Sequence, residues 1–325
     1  MKKVVLTTLV VLCITALAMS QEPKEAFKPH GKPIIRVFSN FHSTFSDGDS
    51  QSAFDVTRVY LGYEHSFSEE FSGTVIFDVA DPGVGKLQMT AFVKNAFLNY
   101  KRENLSIDFG VIPTTQFKVQ ENFWGYRYLA KVFQDEYGFA SSADLGASVS
   151  YKFGEMLSAD LAVTNGEGYK KLQSDSILKT AVGITFTPVK ALTIRGMADM
   201  MDNQNTYAGF VGYKNSKFSV AAEYNYQSNH LMVDDHDYFG PSVYGTLNLS
   251  KKSKVFARFD DLKSNTPSGA TANWNDAADG QLILAGFEFA PVSGIKLSPN
   301  FRSWNPASDS RKSISTIMLN CEIKF

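Results

Sequence analysis

The feature that most constrains this sequence is the alternation of apolar and more polar residues in its extended segments. The last segment, residues 314–325, shows it most clearly, with an apolar side chain at every second position from Ile317 to Phe325. Period-two alternation is typical of a β-strand with one apolar and one wetter face. Because this strand stops on an aromatic residue, we expect it to close against another strand, as in a barrel.

Similar segments follow one another along the chain and predict about sixteen strands. They are 33–45, 54–67, 71–80, 91–101, 105–112, 144–153, 157–164, 178–187, 192–201, 207–213, 218–226, 239–249, 255–262, 281–290, 296–304 and 314–325. The order of strands without intervening long helices predicts an all-β fold.

The connections between these segments alternate in length. Short turns are expected near residues 68, 104, 154, 189, 215, 251 and 292. The intervening connections are mostly longer and more polar: 46–51, 81–90, 114–142, 165–176, 227–238 and 263–279. This alternation is typical of a transmembrane antiparallel β-barrel, which has short turns at one end and long loops at the other. It predicts that both termini lie at the short-turn end.

The first twenty residues have the pattern of a cleaved signal peptide. Lys2 and Lys3 precede an apolar run, 4–18, that ends in small residues. Cleavage would leave residues 21–325 as one barrel domain in the outer membrane. No later run approaches the roughly 18 apolar residues of a transmembrane helix, so a membrane location would require a closed barrel. A secreted soluble β-protein is the other possibility.

The charges on the alternating segments indicate which face points inward. A Lys or Arg facing lipid near the midplane costs about 2–4 kcal/mol, so the charged rows are expected to face the lumen. The predicted pore-lining residues are Arg36, Arg58, Asp78, Arg195, Asp199, Arg258, Asp260, Glu288 and Arg302. A barrel of about sixteen strands is wide enough to hold water.

Residues 114–142 break the alternation. From about residue 122 the aromatic residues recur at helical spacing, and Gly138 is a candidate helix stop. A loop this aromatic needs a surface to pack on, and the inner barrel wall is the nearest one. We expect this third long loop to fold inward and narrow the pore.

Four residues of this loop are candidate constriction residues: Glu121, Trp124, Arg127 and Lys131. Trp124 is expected to anchor the loop rather than to serve as a ligand platform. Arg127 and Lys131, one helical turn apart, could attract anions together. They could equally be held by Glu121, Asp135 or acidic wall residues and fasten the loop.

The stretches ENFWGYRYL (121–129), DEYGF (135–139) and SSADLG (141–146) resemble the phosphate-selective porin O and P family. Residues 54–63 and 108–113 resemble the early strands of that family, in the shorter form common among Bacteroidetes-type bacteria. The resemblance implies a homotrimeric channel of sixteen strands with an inward third loop. It also implies that Phe325 is the signal presented to the barrel-insertion machinery.

The resemblance does not extend to the anion-selecting residues of phosphate-specific members, which have a ladder of arginines and a cluster of lysines. Here the inward rows mix Arg36, Arg58 and Arg195 with Asp78 and Asp199. We therefore expect at most weak selectivity for anions or phosphate.

No catalytic pattern is present. The histidines are scattered, and no nucleophile-elbow motif occurs. The segment 230–237, with two His and three Asp, could bind a divalent ion or be a solvated loop. Lys and Arg together number 32 against 33 for Asp and Glu, which argues against a nucleic-acid partner. We predict no enzyme activity, no cofactor and no metal.

The sequence thus favours an outer-membrane porin, surrounded by lipid, that passes small hydrophilic solutes or anions by diffusion. The alternative hypothesis is a blocked barrel whose long loops form an adhesion or assembly surface.

Overall fold

The structure, a computed structural model, describes residues 27–81 and 89–325. In that part of the chain there are sixteen strands. They are β1 His30–Ser46, β2 Asp49–Ser66, β3 Phe71–Ala80, β4 Thr90–Arg102, β5 Leu105–Pro113, β6 Ala143–Lys152, β7 Leu157–Thr164, β8 Lys179–Val189, β9 Leu192–Met201, β10 Gln204–Lys214, β11 Phe218–Ser228, β12 Tyr238–Asn248, β13 Ser253–Ser264, β14 Gly280–Phe289, β15 Ile295–Pro306 and β16 Ile314–Lys324. The predicted signal peptide, 1–20, lies outside the described residues.

The strands form one closed antiparallel barrel in which each strand pairs with its sequence neighbours. The closing pair is β16 with β1, in register from Arg36 opposite Lys324 to Phe45 opposite Ser315. This confirms the predicted fold class and the closing role of the last strand. Closure matters because it leaves each strand of the sheet with a hydrogen-bonded neighbour on both sides.

The two faces of the barrel differ as the alternation predicts. On β16, Ile317 and Leu319 are exposed on the outside, whereas Asn320 and Glu322 are buried. No helix among the described residues is both long enough and apolar enough to cross a membrane.

Both described chain ends lie with the short turns, and most long loops lie at the opposite end. The expected polar connection at 46–51 is wrong. Only Asp47 and Gly48 separate β1 from β2, and both have positive φ, 51° and 88°. A two-residue turn with positive φ at both positions matches the twist of the paired strands, so β2 begins five residues earlier than predicted.

Two β-bulges shift the alternation within β2 and β4. Val56 lies opposite Ser39 and Arg58 lies opposite Phe38, so Thr57 is the extra residue and lies opposite no residue of β1. In β4 the residue passed over is Lys94, between Val93 and Asn95. A bulge adds one residue to a strand and re-aims the side chains around it.

The bulge in β2 appears in the exposure of its outer residues. Phe54 and Val56, which precede the bulge in the chain, face outward, and so do Leu61 and Tyr63, which follow it. The outward parity therefore changes from even to odd along one strand. Without the extra residue, this sequence could not have both halves of β2 in the correct orientation.

The third long connection folds into the barrel, as predicted, but not as one helix from residue 122. It contains two short helices, α1 Lys118–Trp124 and α2 Phe133–Glu136. Gly125 ends α1 in the left-handed conformation, with φ 70°, which glycine adopts without a steric penalty. The chain then turns back, and the Trp124 indole N–H donates to the Ala130 carbonyl at 2.9 Å.

Candidate functional site

The inward loop, residues 114–142, is anchored by aromatic side chains. The Trp124 ring lies 5.5 Å from the ring of Tyr244 and 6.2 Å from that of Phe256, both on the inner wall. The guanidinium carbon of Arg258 lies 5.3 Å from the same indole, a cation–π contact. The position of Trp124 in the structure is therefore that of a buried anchor.

A second set of anchors is charged. Arg258 forms a bidentate contact with Asp260 and also donates to the Lys131 carbonyl. The Tyr137 hydroxyl donates to Asp260 at 2.9 Å, which extends the network into the loop. Each buried charge in this group has a hydrogen-bonded partner, the condition under which burial of charge is tolerated.

Glu136 fastens the far end of the loop to β15. Its carboxylate is 2.6 Å from the Arg302 guanidinium and accepts the Lys131 backbone N–H at 3.1 Å. Burial alone would raise the pKa of Glu136, but the charges of Arg302 and Arg258 more than offset this and hold that pKa below its usual value.

Most of the predicted pore-lining residues therefore lie behind the loop. Arg195 donates to the Thr115 carbonyl at 2.8 Å, and Glu288 accepts the Tyr128 hydroxyl at 3.0 Å. The residues that contact the loop are Arg195, Asp199, Arg258, Asp260, Glu288 and Arg302. They are on the inner face, but their charges hold the loop in place.

The other three, Arg36, Arg58 and Asp78, have their polar partners outside the inward loop in the described part of the chain. Arg58 lies 3.3 Å from the Asp78 carboxylate and donates to the Tyr60 hydroxyl at 3.0 Å. Arg36, nearer the short-turn end, pairs with Glu322 at 3.4 Å. Asp78 is completely buried, so of the nine only Arg36 and Arg58 remain beside the open lumen.

A cavity of about 310 Å³ separates the inward loop from the wall at β2. We call it the aperture. Its charged lining consists of Arg58, Arg127, Lys131, Lys170, Lys171, Asp135 and Glu167. Basic side chains thus outnumber carboxylates around it.

A second loop, between β7 and β8, also reaches into the barrel. The Tyr169 hydroxyl donates to Asp78 at 2.7 Å, so this loop crosses to the wall at β3. Lys94, aimed inward by its bulge, lies 5.3 Å from the Tyr169 ring and 5.1 Å from the Tyr60 ring. Tyr60, Lys94 and Tyr169 were not predicted as site residues, because neither the bulge in β4 nor the inward course of this loop is visible in the sequence pattern.

Two of the candidate constriction residues combine the two predicted roles, which are fastening the loop and presenting positive charge. Arg127 and Lys131 both line the aperture and both contact Asp135, at 3.6 and 3.5 Å. They are thus partly fastened and partly available to solutes. Glu121 lies on α1 away from the aperture lining; burial raises its pKa, although Arg127 acts in the opposite direction.

A separate cavity of about 480 Å³ opens at the short-turn end, between α1 and the wall from β10 to β15. We call it the short-turn vestibule. Its charged lining consists of five lysines and one carboxylate: Lys214, Lys217, Lys251, Lys254, Lys296 and Glu288. Glu288 pairs with Lys254 and Lys296, at 3.4 and 3.6 Å.

The histidines of the 229–237 loop pack on an aromatic ring. His236 stacks on Trp274 with ring centres 4.7 Å apart, and His230 lies 5.5 Å from the same ring. Burial and the neighbouring His236 lower the pKa of His230 to about 4. Among the described residues no three His, Cys, Asp or Glu side chains are placed to hold a metal ion.

Two outward-facing residues in and just after β16, Cys321 and Phe325, are accessible. Phe325 is exposed and its backbone N–H donates to the Ile35 carbonyl at 3.2 Å. Cys321 is partly exposed and has a free thiol.

Solved structures with the same architecture are channels of bacterial outer membranes. The Pseudomonas putida OprB structure has a TM-score of 0.70 at 8% identity, and covers 91% of this chain and 94% of its own. The chain has the porin fold. An anion-selective porin from Comamonas acidovorans gives a TM-score of 0.64 at 10% identity, over 92% of this chain and 100% of that one. For the outer-membrane channel DcaP of Acinetobacter baumannii the TM-score is 0.60 at 14% identity, over 94% and 99% of the two chains.

Sequence comparison adds no closer assignment. No family model matches the chain, and no curated protein sequence matches it. Membership of the phosphate-selective family therefore stays a prediction, while the porin fold stands on the structural likeness.

Proposed function

We propose that this protein is an outer-membrane porin through which small hydrophilic solutes diffuse, with a preference for anions. The observation that carries the proposal is the aperture: a polar cavity between an inward loop and the barrel wall, lined mainly by basic side chains. A closed barrel with an apolar outside and a charged inside is the arrangement expected of a membrane channel.

The anion preference rests on which charges at the aperture are neutralised. Arg58 faces Asp78, and Arg127 and Lys131 share Asp135. Lys94, Lys170 and Lys171 are near the same space, and none of them has a carboxylate within ion-pairing distance in the described part of the chain. A narrow space with an excess of one charge concentrates the opposite ion.

The basic residues at the aperture are interrupted by carboxylates, which argues for general anion preference rather than specificity for phosphate. A variant with Lys94, Lys170 and Lys171 all changed to Gln should lose part of that preference. Lys263→Gln is a matched control because Lys263 pairs with Asp261 at 2.8 Å and does not line the aperture.

The alternative, a blocked barrel that serves as a surface scaffold, is favoured by one observation. The inward loop buries Phe117, Trp124, Phe133 and Phe139 completely against its surroundings, so it fills much of the lumen. Purified protein in planar bilayers distinguishes the two functions: a porin gives stepwise conductance, and a blocked barrel leaves the bilayer sealed at high protein dose.

Deleting residues 118–138 further distinguishes a porin from a blocked barrel. A porin should conduct more when its constriction is removed, since the loop occupies lumen that water would then fill. A scaffold would acquire conductance only after the deletion. Shortening the external loop 307–313 is a control that leaves the lumen unchanged.

The same proposal gives the protein an outer-membrane location after removal of residues 1–20, assembly by the barrel-insertion machinery with Phe325 as signal, and a homotrimeric state. Migration as a trimer in mild detergent that shifts on heating would support the assembly. A heated and an unheated sample of identical monomeric mobility would contradict it.

A further inference from the structure

The two mouths of the barrel carry opposite charge. At the short-turn vestibule, Glu288 pairs with Lys254 and Lys296, whereas Lys214, Lys217 and Lys251 have no ion pair in the described part of the chain. These three lysines leave the vestibule with net positive charge.

Around the long-loop mouth, acidic side chains outnumber basic ones among the described residues. The acidic residues in the loops and strand ends there are Asp47, Asp49, Asp55, Asp81, Asp144, Glu167, Asp175, Asp202, Asp234, Asp235, Asp237, Asp261, Asp276, Asp279 and Asp309, and the basic ones are Lys170, Lys171, Lys179, Lys263, Arg311 and Lys312. Two of the five basic residues of the aperture, Lys170 and Lys171, belong to a single loop of this mouth.

Several of these carboxylates are bound by neutral donors, which keep them in place without cancelling their charge. Asp234 accepts the Asn203 amide at 2.7 Å, and Asp237 accepts the Tyr226 hydroxyl at 2.7 Å. Asp235 accepts the Ser268 backbone N–H, which lowers the pKa of Asp235. Hydrogen bonds of this kind favour the ionised form.

We propose that this axial separation of charge, positive at the short-turn mouth and negative at the long-loop mouth, makes the channel conduct ions better in one direction than in the other. The proposal rests on the porin function proposed above and adds a direction to it. Fixed charge at a mouth raises the local concentration of counter-ions. Anions therefore accumulate at the lysines and cations at the aspartates.

The polarity that gives the higher current follows from where anions and cations accumulate. When the long-loop side is electrically positive, anions are driven in from the lysine mouth and cations from the aspartate mouth. Each ion then enters where it is already concentrated, and the current is high. With the opposite polarity both ions are drawn from the mouth that repels them, so the lumen is depleted and the current is lower.

Salt provides an internal check. The Debye length is about 10 Å at 0.1 M salt and about 3 Å at 1 M. Charges at the mouths act across the openings at low salt and are screened at high salt. The asymmetry of the current should therefore be largest at 0.1 M and nearly absent at 1 M.

The experiment compares single-channel currents at equal positive and negative voltages in 0.1 M KCl. Orientation is assigned after each recording by a charged, membrane-impermeant thiol reagent added to one side of a Ser216→Cys channel in a Cys321→Ser background. Ser216 lines the short-turn vestibule, so modification from that side changes the current at once.

The test variant changes Lys214, Lys217 and Lys251 together to Gln, and the control changes Lys190 and Lys252, which are at the same end but outside the vestibule lining. We expect the asymmetry to be lost in the first and kept in the second. Symmetric wild-type currents, the opposite favoured polarity, or an unchanged ratio in the lysine variant would overturn the proposal and leave the porin function standing. Bilayers without any conductance would overturn both.

Discussion

At the scale of single residues, the inward loop is held by a few side chains that combine aromatic packing with charge. Trp124 contacts Tyr244, Phe256 and Arg258 and has its N–H satisfied within the loop. The Trp124 ring thus contributes both buried apolar surface and a cation–π contact with Arg258. Such a contact is stronger when the two groups are shielded from water.

Trp124→Ala should loosen the loop without preventing closure of the barrel. Truncation of a fully buried Trp costs about 3–5 kcal/mol, and here the cost falls on the contact between loop and wall. We expect noisier open-channel currents and new trypsin cleavage after Arg127 or Lys131. Phe54→Ala, on the outer face, is the control, and a loop equally resistant in both variants would exclude the anchoring role.

The ion pair between Glu136 and Arg302 should make the attachment of the loop to the wall depend on pH. The pKa of Glu136 lies below the usual value of about 4.5 because Arg302 and Arg258 outweigh the effect of burial. A carboxylate with a lowered pKa in the folded state contributes stability that is present above its unfolded pKa and is lost as the pH falls through the folded one.

Transient current changes should thus become more frequent only in acid, as the pH falls through the lowered pKa of Glu136 and the Glu136–Arg302 pair is lost. Glu136→Gln should show frequent changes already at pH 7 and a smaller further increase on acidification. If the variant and the wild type follow the same pH profile, another carboxylate controls the loop.

At the scale of elements, the strands were predictable from sequence and the bulges were not. Alternation and the long-short rhythm located all sixteen strands, because the outer face is uniformly apolar and a one-residue slip would turn charges outward. The extra residues Thr57 and Lys94 escaped notice because each looks like an ordinary member of its strand. The aperture, which depends on Lys94 and on the inward Tyr169, was therefore predicted only in part.

The bulge in β2 predicts an unusual tolerance to deletion. Removing Thr57 brings Val56 and Arg58 into regular alternation, outward then inward, so the barrel should still assemble. Removing Val59 instead would turn Arg58 toward lipid, at about 2–4 kcal/mol, or would exchange the faces of the residues that follow.

The fraction of protein with heat-modifiable gel migration measures both deletions. We expect the Thr57 deletion to resemble wild type and the Val59 deletion to be strongly reduced. Equal yields would show that β2 slides freely and that the bulge has no structural role.

At the scale of the whole molecule, the barrel supplies the frame and the two inward loops shape what remains of its interior. Six of the nine charged wall residues predicted to line a pore instead contact the loop. Sequence placed them on the correct face, but it could not show that the loop would lie over them. The space that remains is bounded by β2 to β4 on one side and by Arg127, Lys131 and Lys170 on the other.

We propose that this remaining space is a conducting path that favours anions. The most direct measurement is the zero-current potential of the wild-type channel across a KCl gradient, since K⁺ and Cl⁻ then compete for the same path. An anion preference carries Cl⁻ toward the dilute side and makes that side negative, which is the predicted result. A positive dilute side, or a bilayer that stays sealed at high protein dose, would contradict the claim.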